Sequence, residues 1–130
     1  MRWRAPAEVD RRITQLLVDA RRNSSAGEVE EAWAGLGDAH VLSQPWPVPH
    51  VRVHAAMLAL SWRTRDRSEI AGQLFRIAVA APGSVTGRFP AGNSGRADVS
   101  AFAPAPVRDD LAELLDSVAS TTRHQGKADR

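Results

Sequence analysis

The stretch Ala39-His40-Val41-Leu42-Ser43-Gln44-Pro45-Trp46-Pro47-Val48-Pro49-His50-Val51-Arg52-Val53-His54-Ala55-Ala56-Met57 decides how this chain is read. Pro45, Pro47 and Pro49 hold a short connection extended and stop a helix on one side. Pro49 can open a helix on the other, because a first-turn N–H has no intrahelical partner to lose. His50 and His54 are four residues apart and share a helical face. If the elbow folds its two helices antiparallel, His40 returns toward them. Three imidazoles would then converge, as a metal site or as an unusually polar piece of core.

Helical spacing extends outward from this elbow. Val9, Ile13, Leu16, Leu17 and Ala20 predict a helix over residues 6–22, with Pro6 in its first turn and Asn23-Ser24-Ser25 breaking it. Ser25 and Glu28 read as a capping box for a second helix that runs to about residue 43. Val29, Trp33, Leu36 and His40 form its inner stripe, and Ala32 and Ala39 allow close approach. The third helix, about 49–63, is apolar on most sides, with a narrow strip at Arg52, Ala56 and Arg63, the pattern of a central helix. Asp66 and Glu69 repeat the capping pattern. The fourth helix runs to about residue 81, with Ile70, Leu74, Ile77, Ala78 and Ala81 inward and Pro82-Gly83 ending it.

Beyond it, glycines and prolines predict an ordered irregular wrap over residues 83–106. Its apolar Val85, Phe89, Val99 and Phe102 are expected to lie on the helices. A short amphipathic helix over residues 107–119 follows, and the polar residues 120–130 read as a frayed tail. The expected fold is thus a single all-α domain over residues 1–119, with two antiparallel helical hairpins, the wrap and a C-terminal helix. Its expected core is Val9, Ile13, Leu16, Leu17, Val29, Trp33, Leu36, Val51, Leu58, Trp62, Leu74 and Ile77. The hairpins are weakly alike. Ala32, Leu36 and Ala39 align with Ala71, Phe75 and Ala78, a small-large-small spacing similar to the tetratricopeptide type.

Composition bounds the function. The 130 residues are 43% hydrophobic and 25% charged, with no cysteine. Thiolate nucleophiles, disulfides and cysteine-bound zinc are therefore excluded. The start lacks the apolar run of a signal peptide and no segment has transmembrane length, so a cytoplasmic protein without membrane contact is expected, and richness in Ala and Arg points to a bacterial source. A formal charge of only +2 and the lack of a dense basic run make nucleic-acid binding a minor option.

Three blocks, in order, carry a resemblance. They are Ala39-His40-Val41-Leu42-Ser43-Gln44 with His50, His54, Met57 and Leu58; then Glu69-Ile70-Ala71-Gly72-Gln73-Leu74 with Arg76; then Pro90-Ala91-Gly92-Asn93-Ser94-Gly95 and the residues through Phe102. Together they resemble a family of small bacterial proteins of unknown function, over about residues 8–118. This chain departs from the family pattern at Ser43 for glycine, Ser94 for threonine, Arg96 for glycine and Asp98 for asparagine. The resemblance implies the helical fold and no activity.

Among candidate sites, the histidines rank first. Imidazoles converging at about 2.0–2.1 Å from an ion make a metal site. His40, His50 and His54 are the candidate ligands for zinc, copper or nickel. Met57, one turn past His54, would favour copper, whereas Gln44 or Glu69 would suit a harder ion. Glu69, Gln73 and Arg76 share a helical face that could meet His54. Asn93, with Gly92, Ser94 and Gly95, could offer N–H groups to an anion beside Arg96 and Arg88. No His-Glu-x-x-His, nucleophile elbow or acid–base pair is present, so an enzyme is the least favoured class. The first expectation is a helical binding module for a protein partner or its own copy. The second is a metal-binding protein.

Overall fold

The computed structural model describes residues 2–98, 100 and 102–128. It contains α1 (Ala7–Ser25), α2 (Val29–Ser43), α3 (Pro47–Arg63), α4 (Arg67–Thr86) and α5 (Asp109–Ala128), with no strand among the described residues. α1 pairs with α2 and α3 with α4, α2 packs on α3, and α5 lies against α2 and α1.

The first hairpin closes on apolar side chains. Val9, Ile13, Leu16 and Ala20 of α1 are buried at helical spacing against Ala32, Trp33, Leu36 and Ala39 of α2. Glu8 and Asp10 in the first turn and Arg22 in the last complement the helix dipole. Pro6 lies just outside α1 as its N-cap, and Asn23-Ser24-Ser25 continues the helix where a break was expected. The turn instead falls at Gly27, which adopts φ 79°. Backbone bonds from Ala26 to Arg22 and from Glu28 to Asn23 close it. The expected Ser25–Glu28 capping box is therefore not formed, and no side chain caps α2.

Only Gln44, Pro45 and Trp46 separate α2 from α3, because α3 begins two residues earlier than expected. Pro47 and Pro49 both sit in its first turn, where a missing N–H costs nothing. On α3 the buried positions are Pro47, Pro49, His50, Val53, His54, Met57, Leu60 and Ser61. Ala55, Ala59, Trp62 and Arg63 face outward, whereas Arg52 and Ala56, expected on the same strip as Arg63, are half-buried. Trp62, expected in the core, is 72% exposed.

α4 shows the largest departure. Its buried residues are Glu69, Gln73, Arg76, Ala80 and Ser84, a polar stripe, while Leu74 and Phe75 face outward and Ile70 and Ile77 are half-buried. Leu74 thus leaves the expected core, and Ala78 is exposed. The repeat reading is not reflected in the packing. Ala32, Leu36 and Ala39 lie inside, but Ala71, Phe75 and Ala78 lie outside. Pro82 does not end the helix. It sits inside α4 on the exposed side, and the stop comes at Gly87 with φ 69°.

Residues 87–108 contain no helix or strand among those described. Asn93 organises the segment. Its Nδ2 donates to the Ser100 and Ala103 carbonyls at 2.7 Å each, and its Oδ1 accepts from Gly95 N at 2.8 Å. A Cβ at Gly92 would collide with the Ala105 carbonyl, so this crossing requires glycine. Phe102 is 72% exposed, packed edge-on to Phe75 and not covered by helices. Val99 lies outside the described residues. α5 starts two residues late and continues to Ala128, so the expected tail is helical to that point.

Candidate metal centre

The short α2–α3 link decides the site. His40 lies one turn before the end of α2, and His50 and His54 lie on the inner face of α3. Folding the elbow superimposes these ends. His40 Nε2 is 3.1 Å from His54 Nε2 and 3.2 Å from His50 Nε2. One ligand atom from each ring falls within 4.8 Å of the others. All three side chains are buried, at 5% exposure or less.

The partners on the opposite ring edges set the protonation pattern. His40 Nδ1 lies 2.6 Å from the Asn93 carbonyl, which can only accept. Ser84 Oγ donates to the Gln44 carbonyl at 2.5 Å, so it accepts from His50 Nδ1 at 2.8 Å. Gln73 Nε2 donates to the Gly95 carbonyl at 2.8 Å, which turns its Oε1 to accept from His54 Nδ1 at 2.7 Å. Each neutral ring therefore carries its hydrogen on Nδ1. The three Nε2 lone pairs then face one another, with no N–H among the three rings on that side.

The rings are neutral for physical reasons. Burial pushes His40 well below the usual histidine range, aided by His54 and His50 and opposed by its bond to Asn93. Burial lowers His50 to about 3, and His54 adds to the effect. Burial lowers His54 to about 4, against the Gln73 bond and with help from the Arg76 charge. Neutral imidazoles are the form that ligates a metal. A tetrahedral ion with bonds of about 2.0–2.1 Å would set its ligand nitrogens about 3.3 Å apart. The two Nε2 separations from His40 lie close to that spacing. Imidazoles holding their outer N–H on a carbonyl, an amide oxygen and a hydroxyl also match the usual support of metal ligands.

The remaining candidates separate into near and far. Gln73 and Asn93 support histidines directly. Gln44 contributes its carbonyl to Ser84, while its side chain donates to the Pro90 carbonyl at 2.9 Å. Arg76 lines the same cavity as the three rings. Met57 is fully buried in the apolar core, its methyl group bordering Gly95. Glu69 is not brought to the histidines. The Asp66 carboxylate caps α4 through Glu69 N, but the Glu69 carboxylate leaves the box to accept from Ala97 N. Arg96 stacks over Trp33, 4.4 Å from its centre, and lies 3.8 Å from Glu69. The Gly95 N–H donates to Asn93 within the segment and the Ala97 N–H donates to Glu69 on α4, so neither is left for an anion.

Two contributors went unread in the sequence. Ser84 was hidden because Pro82-Gly83 suggests a helix end, and the helix must continue for Ser84 to reach His50. Gly95 adopts φ 81°, and a Cβ there would stand 2.7 Å from the His40 ring. Its signal was the glycine-rich block itself, read as a turn and not as a close approach.

These residues fall inside a single family match. The family model for DUF3703, described as a protein of unknown function, matches residues 7–115. This chain belongs to that family. The match contains His40, His50, His54, Gln73, Ser84 and Asn93, and the family's description assigns none of them a role. No curated protein and no solved structure matches the chain. No helix among the described residues is long and apolar enough to cross a membrane.

Proposed function

We propose that this chain is a metal-binding protein in which His40, His50 and His54 hold one divalent late transition ion, zinc, copper or nickel, through Nε2. The observation that carries the reading is the hydrogen-bond pattern. All three Nδ1–H groups are engaged outward, which leaves three buried lone pairs converging. Such a cluster is unfavourable without a cation, since buried acceptors need a donor or an ion. Imidazole ligands suit zinc, copper and nickel, and the lack of carboxylate ligands disfavours calcium and magnesium.

Metal analysis of tag-free protein after incubation with each ion and removal of the excess tests this. About one equivalent is expected for the native chain, and none for the variant carrying His40→Ala, His50→Ala and His54→Ala. Less than about a tenth of an equivalent in the native chain for all three ions overturns it.

A second reading, an interaction surface for a protein partner or another copy, draws on the outward face of α4. Leu74, Phe75 and Phe102 are 56%, 50% and 72% exposed, and the two phenylalanine rings touch edge to face. Neighbouring exposed apolar side chains of this size favour contact with another protein. Light scattering over a concentration series tests the self-association form. A constant monomer mass rules that form out.

A further inference from the structure

The three histidines leave at least one coordination position to be filled, and the surroundings indicate by what. His40, His50 and His54 all line one cavity of about 290 Å³ between the second half of α4 and residues 88–102. Its walls are largely apolar, including Val79, Pro82, Phe89 and Phe102. Among the described residues, the charged side chains lining it are Arg76 and Arg88, and no carboxylate lines it. Glu69 and Asp98 act on Arg76, but neither reaches the cavity.

Three neutral imidazoles do nothing to cancel the charge of a divalent ion. A buried ion keeping its full charge within largely apolar walls would be strongly disfavoured. Structural zinc sites avoid this with four protein ligands, often anionic thiolates, whereas a site with three protein ligands keeps a position open to an outside ligand. Gln44 and Asn93 are polar amides that also line the cavity. Their side-chain groups are already bonded to backbone of the irregular segment.

We infer that the open position faces this cavity and is completed by a small monovalent anion that enters past Arg88 and Arg76. This rests on the metal reading above and adds to it the class of the exogenous ligand. The cavity has ample room for a hydroxide, halide, azide or short carboxylate, and its apolar walls would strengthen the anion's attraction to the ion. Arg88 lines the cavity and is exposed to solvent, so its charge raises the local anion concentration.

The test uses tag-free protein loaded with one equivalent of cobalt(II) in chloride-free buffer and titrated with sodium azide. Cobalt bound by the histidines gives visible ligand-field bands, and azide entering the open position shifts them saturably. Arg88→Glu should weaken azide about three- to tenfold at low salt. Bands that form but do not move with azide overturn the inference alone, since the protein itself then closes the coordination sphere. Absence of the bands overturns this inference, and the metal reading falls with it when zinc, copper and nickel are not retained either. An azide affinity unchanged in Arg88→Glu overturns the assignment of this cavity as the anion's route.

Discussion

The two hairpins have the same outline and opposite interiors. Between α1 and α2 the seam is dry, built from Val9, Ile13, Leu16, Ala32, Trp33 and Leu36. Between α3 and α4 it is polar, and hydrogen bonds cross it from His50 to Ser84 and from His54 to Gln73. An apolar seam stabilises by removing surface from water and tolerates many equivalent packings. A buried polar seam holds only when each group finds its partner, and it gains little net stability. The contrast teaches that the first hairpin carries the fold and the second spends stability on orienting three imidazoles.

Acid should break this contrast most strongly. His50 and His54 are held at about 3 and about 4 in the folded chain, against 6.5 as the ordinary value. The unfolded chain therefore binds protons first. Their contribution to stability is complete above about pH 6.5 and declines as pH falls toward the folded values, by up to about 1.4 kcal/mol per imidazole per pH unit. Melting curves of metal-free protein from pH 7.5 to 4 should show a steep loss of Tm, and bound zinc should flatten it at the upper end.

Ile13→Ala in the dry seam should cost about 2–5 kcal/mol in urea unfolding and leave metal stoichiometry of the folded protein unchanged. Gly95→Ala should affect both properties. It forces a left-handed backbone and crowds His40, so a loss of about 1–3 kcal/mol and weaker metal binding are expected. Gln73→Leu should act mainly on the site, lowering metal affinity about 10–100-fold by calorimetric titration as His54 loses its support. The smallest effect is expected at Trp62→Ala, within about 0.5 kcal/mol, because that ring is outside both seams. A cost above 2 kcal/mol there would mean that Trp62 is covered in solution.

Legibility followed the same divide. All five helices were visible from apolar spacing, capping residues and prolines, and the boundaries shifted by a few residues. Where apolar spacing coincides with the buried face, as in α1, the inner residues were read correctly. In α4 it does not coincide. Leu74 and Phe75 have the spacing of a core stripe, yet Glu69, Gln73, Arg76 and Ser84 take the inner face. Spacing alone cannot show that a neighbouring helix presents histidines in need of partners. Pro82 misled for a related reason. A proline inside a helix costs about 3 kcal/mol in isolation. Here the extra turn brings Ser84 to His50 and Gln44, an interaction that local propensity does not contain.

By itself, the sequence determined the helical periods, the proline elbow and the spacing that puts His50 and His54 on one face with His40 across from them. These are local properties, set by side-chain type and backbone geometry within a few residues. Only the tertiary structure decided that the three Nε2 atoms meet and that each ring carries its hydrogen on the other side. Those outcomes depend on Gln73, Ser84 and Asn93, which lie 19, 34 and 53 residues from the rings they bond. Hydrogen-bond direction at such separations is set by how α4 and the glycine-rich segment pack over the elbow, and no local pattern records it.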